Sequence, residues 1–135
     1  MDLLYKEITE KIIKGYFNVY NTLGYGFLEK VYENAMALEL HELGLEVKCQ
    51  YPIAVFYNSK KIGDYFADML INNRVILELK ASKHLMEEHE CQLINYLKAT
   101  NIEVGLLMNF GKEAEYKRKV FMNKFKKLNN SSLCK

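Results

Sequence analysis

The chain has 135 residues, of which 50% are hydrophobic and 13% aromatic, and its formal net charge is +2. This length suits one domain with a buried core, and the composition excludes the class of disordered chains. No apolar run approaches the roughly 18–20 residues of a membrane span, and charges throughout the N-terminal stretch argue against a signal peptide. The cysteines, Cys49, Cys91 and Cys134, are odd in number and scattered. They predict a reducing, cytoplasmic location, and they argue against a disulfide framework or a zinc site.

Charge is unevenly distributed along the chain. The segment from Lys112 to the end carries eight Lys or Arg and two acids, whereas the preceding 111 residues carry eleven basic and fifteen acidic side chains. A basic end beside an acid-rich body suits a polyanionic partner, but it equally suits a solvated basic surface. Charge alone does not decide between the two.

Two helices are predicted at the start of the chain. Apolar residues recur at i, i+4 spacing from Leu4 to Tyr20, and the sequence "LGYG" ends this first helix. The second helix is predicted from about Phe27 to Leu43, with Gly44 at its C-cap. Its predicted inward face consists of Leu28, Val31, Ala35 and Leu38.

A change of period marks the β-region. Residues 45–80 are rich in β-branched and aromatic side chains, and the turn signals "NSKK" and "NN" divide them into strands at about 45–50, 53–58, 61–71 and 74–80. A helix follows in "MEEHECQLINYLKAT", then a buried strand in "EVGLLMNFG", then a strand and short helix in "EYKRKVFMNKF". This order predicts a mixed α/β or α+β domain over residues 1–128, with residues 129–135 as a flexible tail.

The stretch "DMLINNRVILELKA" combines a hairpin pattern with costly charges. Because side chains alternate across a strand, Glu78 and Lys80 share one face, and an "NN" turn places Asp68 opposite residue 77 or 78. Two carboxylates so close require a proton or a counterion, and Mg²⁺ favours such oxygen ligands. The alternative is an exposed charged hairpin face, and spacing alone leaves both interpretations open.

Polar residues on two helices bear on this choice. Gly26, Glu29 and Tyr32 recur at three-residue intervals, so Glu29 and Tyr32 share one edge of the second helix, where a glutamate also gains from the helix dipole. On the third helix, Gln92 and Tyr96 form a polar stripe with His89. This stripe either contacts a phosphate or a lysine, or simply faces solvent.

These blocks together resemble the GxxExxY proteins, which are grouped with the PD-(D/E)XK nuclease superfamily. The resemblance rests on "GFLEKVYENAMALEL", "ADMLINNRVILELKA", "CQLINYLKAT" and "GLLMNFG", in order, from Gly15 to about Val120. It implies a restriction-endonuclease-like α-β-β-β-α-β core with an extra N-terminal helix. Ala67 stands where the superfamily's name has proline.

The resemblance also implies a role for each site residue. Asp68 and Glu78 would be metal ligands, Lys80 the catalytic lysine and Glu29 the helix-borne acid of the metal site, while Gln92 and Tyr96 match catalytic polar positions on the helix after the lysine. The implied cofactor is Mg²⁺, or Mn²⁺ in its place, with no organic cofactor.

The function that follows is metal-dependent endonucleolytic hydrolysis of DNA phosphodiester bonds. A basic segment would contact the DNA backbone without sequence choice, namely Lys117, Arg118, Lys119 and Lys124, with Lys126 and Lys127. Sequence specificity would need a homodimer or a partner protein, and no membrane is involved. Two alternatives remain at this point: a non-catalytic nucleic-acid- or protein-binding module on the same fold, and a nuclease acting on RNA.

Overall fold

The computed structural model describes residues 4–127, so Cys134 and the tail predicted for residues 129–135 lie outside the described residues. No helix in this range is long and apolar enough to cross a membrane. The elements are, in order, α1 (Lys6–Leu23), α2 (Glu29–Glu42), β1 (Val47–Tyr57), β2 (Lys60–Ile71), β3 (Val75–Lys80), α3 (Glu87–Ala99), β4 (Val104–Phe110), β5 (Ala114–Val120) and the 3₁₀ helix η1 (Asn123–Phe125). This is the predicted order, an α-β-β-β-α-β core with an additional helix in front.

Within residues 4–127, one mixed sheet of five strands runs in the order β1-β2-β3-β4-β5. Strands β3 and β4 are parallel, and the other neighbours are antiparallel. Parallel neighbours need a crossover connection, and α3 supplies it. Every residue of β4 is buried, which explains why "VGLLMNF" reads as a continuous apolar run rather than an alternating one.

Helices cover both faces of this sheet. One core cluster joins α1 and α2 to the sheet through Ile12, Tyr16, Met36, Leu40, Leu77, Leu79, Leu106 and Met108. The second cluster joins α3 to the opposite face through Leu70, Ile76, Leu93, Leu97 and Leu107. The alternation of β3 therefore sends Leu77 and Leu79 towards α1 and α2, and it leaves Glu78 and Lys80 on the side of α3.

The first two predicted strands are one strand in the structure. β1 runs without interruption from Val47 to Tyr57, through Pro52. Proline cannot donate a backbone hydrogen bond, but β1 is an edge strand and pairs only with β2, so Pro52 is tolerated there.

The predicted inward face of α2 is wrong. Leu28 and Leu38 are 79% and 72% exposed, and Val31 is also exposed, while Ala35 is only partly buried. The buried residues of α2 are instead Tyr32, Glu33, Met36 and Leu40. Apolar side chains lie around most of this helix, so its periodicity left the orientation open. In the structure the Tyr32 ring stacks on Phe110, with ring centroids 4.1 Å apart, and Met36 and Leu40 join the same core cluster.

The two faces of the long β1–β2 hairpin exchange sides at Gln50. The paired residues Tyr51 and Ala67 pack on the α3 side of the sheet. The paired residues Val47 and Ile71 lie four positions away along each strand, and they pack on the α1–α2 side. In a regular strand these residues would share one face. Gln50, which lies between the two pairs, has a φ of 52°, and this left-handed conformation coincides with the change of face.

Candidate active site

The β2–β3 hairpin opens at Asp68 and Glu78. Its turn is formed by Asn72 and Asn73, both with positive φ, and three residue pairs follow, ending with Met69 and Leu77. The next pair in register would be Asp68 and Glu78. At that point the side chains replace the backbone ladder, because the Asp68 N–H donates to Glu78 Oε2 at 2.6 Å and the Leu79 N–H donates to Asp68 Oδ2 at 2.7 Å.

The carboxyl groups of Glu78, which is buried, and Asp68, which is partly buried, lie beside each other. Glu78 is only 4% exposed, and none of the ion pairs formed within residues 4–127 includes Glu78 or Asp68. Burial, and next the negative charge of Asp68, raise the pKa of Glu78 to about 8. Burial likewise raises the pKa of Asp68 to about 6, although the hydrogen bond from Leu79 opposes this shift. The pair therefore tends to retain a proton near neutral pH.

Lys80 connects this pair to α3. Its Nζ donates to Gln92 Oε1 at 3.3 Å, and its positive charge lowers the pKa of both carboxyl groups, in part offsetting their burial. Tyr96, one turn after Gln92, is 6% exposed. Burial, followed by the charges of Glu78 and Asp68, raises the pKa of Tyr96 to about 12, so its hydroxyl stays protonated. The structure thus gathers five of the predicted site residues.

The start of α2 brings further acids towards Asp68. Glu29 is the first residue of the helix and is exposed. Glu33, one turn later, is 6% exposed and was not predicted from the sequence. The charges of Glu33 and, to a smaller extent, Glu29 raise the pKa of Asp68. Glu33 Oε1 accepts hydrogen bonds from Gln50 Nε2 and Lys30 Nζ, each at 3.1 Å. Its signal in the sequence was its i+4 spacing from Glu29.

The tyrosine of "GFLEKVY" holds the segment in front of α2. The Tyr32 hydroxyl donates to the Gly24 carbonyl at 2.7 Å and accepts from the Phe27 N–H at 3.2 Å. Gly26 lies between them with a φ of 109°, a conformation that favours glycine. Gly26 and Tyr32 therefore shape the turn from which Glu29 begins.

A buried asparagine, also missed in the sequence, fixes the chain after Lys80. Asn109 exchanges two hydrogen bonds of 2.9 Å with the backbone of Ser82, one donated by its Nδ2 and one accepted by its Oδ1. Its own carbonyl accepts from the Tyr16 hydroxyl. A Cβ on Gly111 would lie 2.7 Å from the Ser82 carbonyl oxygen, so this approach requires glycine. An asparagine inside an apolar strand was the available signal.

The predicted basic residues do not form one surface. Lys117 and Lys119 pair with Glu90 of α3, at 3.4 and 2.7 Å. Arg118 lies between them on β5 and donates to the Leu4 carbonyl on the other side of the sheet. Lys124 lies on η1 and is exposed. Lys126 donates instead to the carbonyls of Thr100 and Ile102, just after α3.

The donor set suits a hard cation. Asp68 and Glu78 offer carboxylate oxygens that make no ion pair within residues 4–127, and a divalent cation would replace the retained proton. Over residues 4–127, no group of three or more His, Cys, Asp or Glu side chains comes together closely enough to hold a metal ion. The close donors are thus the two carboxylates of the hairpin, and Glu29 remains a predicted ligand only.

The order of elements and the open hairpin define a nuclease-like fold with an acid-acid-lysine site. A family model described as the PD-(D/E)XK nuclease superfamily matches residues 6–120. The chain belongs to this superfamily, and the predicted restriction-endonuclease-like fold class is confirmed. Comparison with curated proteins and with solved structures gave no significant match.

Proposed function

We propose that this protein is a Mg²⁺-dependent endonuclease of the GxxExxY group that hydrolyses phosphodiester bonds in DNA. Membership of the superfamily supports nuclease activity in general. The observation that carries the proposal is the pair of Asp68, partly buried, and Glu78, buried, which bridges the open hairpin beside Lys80. A structural ion pair would place a cation between the carboxylates, whereas here two carboxyl groups face each other and the Lys80 ammonium donates to Gln92.

Asp68 and Glu78, with Glu29, would hold the cation, for which Mn²⁺ is the natural substitute. When bound, the cation supplies a Lewis acid next to the scissile phosphate and makes a neighbouring water more acidic. Lys80 would place a positive charge near the negative charge that develops on the phosphate, and its ammonium donates a hydrogen bond to Gln92. Tyr96 keeps a protonated hydroxyl near the carboxylates as a hydrogen-bond donor.

Substrate binding would rest on phosphate contacts. Lys117, Arg118, Lys119 and Lys124 are the proposed nucleic-acid-binding residues, although Glu90 neutralises two of them in the free protein. Such contacts give affinity without sequence choice. Selection of a site in DNA would need a second copy of the chain or a partner protein.

The test is a cleavage assay on single-stranded, double-stranded and branched DNA and on RNA, in Mg²⁺, Mn²⁺ or EDTA. We expect metal-dependent cutting of DNA that Glu78→Gln and Lys80→Ala each reduce by at least about 100-fold, as loss of a charged transition-state contact does. Glu87→Gln and Lys83→Ala, at exposed positions nearby, are the matched controls and should retain activity.

Other outcomes separate the alternatives. Cutting of RNA alone would move the proposal to a ribonuclease. Nucleic-acid binding that ignores metal and both site variants, with no cleavage of any substrate, would contradict the enzyme and leave a binding module.

A further inference from the structure

A cleft lies between the β1–β2 hairpin and α3, beside the proposed active site. Its volume is about 410 Å³, within the range of about 300–1,000 Å³ in which proteins bind small ligands. Val55 and Tyr65 line it from the hairpin, and Tyr96 and Ala99 line it from α3. The cleft exists because the hairpin turns over at Gln50, which directs this part of both strands towards α3.

The lining suits a flat, uncharged, polar-edged ring. Tyr65 is 50% exposed, and its ring leans on Tyr96 with the centroids 6.0 Å apart, so it is supported on one side and open on the other. Gln92 and Asn95 add amide donors and acceptors to the wall. Among residues 4–127, Glu88 is the only charged side chain that lines the cleft, and it would repel a phosphate. A nucleobase meets all of these conditions, because it stacks on an aromatic ring and presents donors and acceptors at its edge.

The cleft and the proposed chemistry share residues. Gln92 lines the cleft and accepts the hydrogen bond from Lys80. Tyr96 also lines the cleft, and the negative charges of Glu78 and Asp68 contribute to its raised pKa. Gln92 and Tyr96 therefore connect the cleft to Lys80 and the two carboxyl groups, so a base in the cleft would lie beside the proposed site.

We propose that this cleft binds an unpaired nucleobase next to the phosphate that is cut, so that the substrate is single-stranded or locally opened nucleic acid. The proposal rests on the nuclease function proposed above and specifies its substrate. A base inside a duplex is stacked and paired on both sides, and it would have to leave the stack to reach Tyr65.

The experiment measures base binding without cleavage. A single strand of about 12 nucleotides, carrying the fluorescent base 2-aminopurine at its centre, is titrated with the protein in EDTA. We expect the fluorescence to be quenched as the base stacks. Tyr65→Ala should remove the quenching and weaken binding roughly tenfold, the effect of losing one stacked base, while Tyr65→Phe retains both. Tyr57→Ala is the matched control, since Tyr57 is 62% exposed on the same hairpin and does not line the cleft.

Two further arms make the result decisive. Ala99→Leu should fill the cleft and weaken single-strand binding while leaving Tyr65 in place, and the same probe in a fully paired duplex should bind without dependence on Tyr65. Equal quenching by the wild type and Tyr65→Ala, or equal dependence on Tyr65 in the duplex, would overturn the base site. Because the titration needs no cutting, an inactive protein that still shows these effects contradicts only the nuclease proposal. Metal-dependent cutting without them contradicts only the base site.

Discussion

At the scale of single residues, the site is a pair of carboxyl groups held where the fold makes their ionisation costly. The backbone groups of Asp68 and Leu79 donate to the two side chains, so neither carboxyl can turn away from the other. Burial then raises both pKa values, and their mutual repulsion adds to the effect on Glu78. A pair that is unfavourable for the free protein is favourable for binding a cation.

This arrangement predicts that the metal-free protein loses stability as pH rises. The folded pKa values of about 6 and about 8 exceed those of free carboxyl groups, so between about pH 4 and about pH 8 the unfolded chain has released protons that the native pair retains. The free energy of unfolding should therefore fall across this window by an amount on the order of a few kcal/mol. Urea unfolding in EDTA at about pH 5 and about pH 8 measures it.

Glu78→Gln is the decisive variant for this prediction. Its amide oxygen can still accept from the Asp68 N–H, but it carries no charge, so the variant should match the wild type at about pH 5 and exceed its stability at about pH 8. Glu87→Gln controls for the loss of an exposed acid. An unchanged pH dependence in Glu78→Gln would show that the pair is not the source.

At the scale of elements, the first turn of α2 depends on one tyrosine. Tyr32 is fully buried, stacks on Phe110 of β4 and closes the preceding turn with two hydrogen bonds. The spacing of "GFLEKVY" is explained by this contact, because Gly26 allows the turn and Tyr32 reaches back over it. The proposed ligand Glu29 lies between them.

Tyr32→Phe should therefore disturb the turn and leave the core intact. The ring keeps its stacking, but the Gly24 carbonyl and the Phe27 N–H lose their partner, at a cost of about 1–2 kcal/mol in the free energy of unfolding. The change also frees the segment before Glu29, so cleavage activity should fall further than stability requires. Chemical denaturation and the cleavage assay measure the two effects.

Tyr25→Phe provides the comparison, since Tyr25 lies in the same segment and is 57% exposed. If Tyr32→Phe were as stable and as active as Tyr25→Phe, a positioning role for the Tyr32 hydroxyl would be contradicted.

At the scale of the whole molecule, the net charge does not indicate where the basic side chains lie on the surface. The net charge of +2 includes a basic segment from Lys112 onwards, yet its members face different ways. Arg118 holds the chain near Leu4, Lys126 binds carbonyls after α3, and Lys117 and Lys119 share Glu90. Glu90 thus limits the positive surface on the α3 side.

Glu90→Gln should strengthen nonspecific binding to nucleic acid. Removing one acid releases Lys117 and Lys119 for phosphate contacts. The slope of log affinity against log salt concentration should therefore become more negative by about one to two. Fluorescence anisotropy with labelled DNA over a range of salt concentrations measures the slope. Glu87→Gln removes the same charge from the same helix without freeing either lysine, and an equal effect of the two variants would contradict the prediction.

Much of the fold could be predicted from local patterns. The order of helices and strands follows from periodicity and turn residues, and the Asn72–Asn73 turn places Asp68 opposite Glu78 by register. The sequence motifs indicate the PD-(D/E)XK nuclease superfamily, to which the chain belongs. These features depend on neighbours in the sequence or on pairing across a short turn, so the residues themselves carry the information.

Local patterns in the sequence are enough to predict the order of elements, the hairpin turn, and the two acids and the lysine on that hairpin. Which face of α2 is buried depends on tertiary packing, because apolar side chains lie around most of the helix and the contacts of Tyr32, among them its stacking on Phe110, are with residues distant in the chain. The tertiary structure also brought Glu33 towards Asp68, paired Lys117 with Glu90 and opened the cleft at Tyr65. Each of these depends on packing between residues far apart in the chain, and no local pattern reports such contacts.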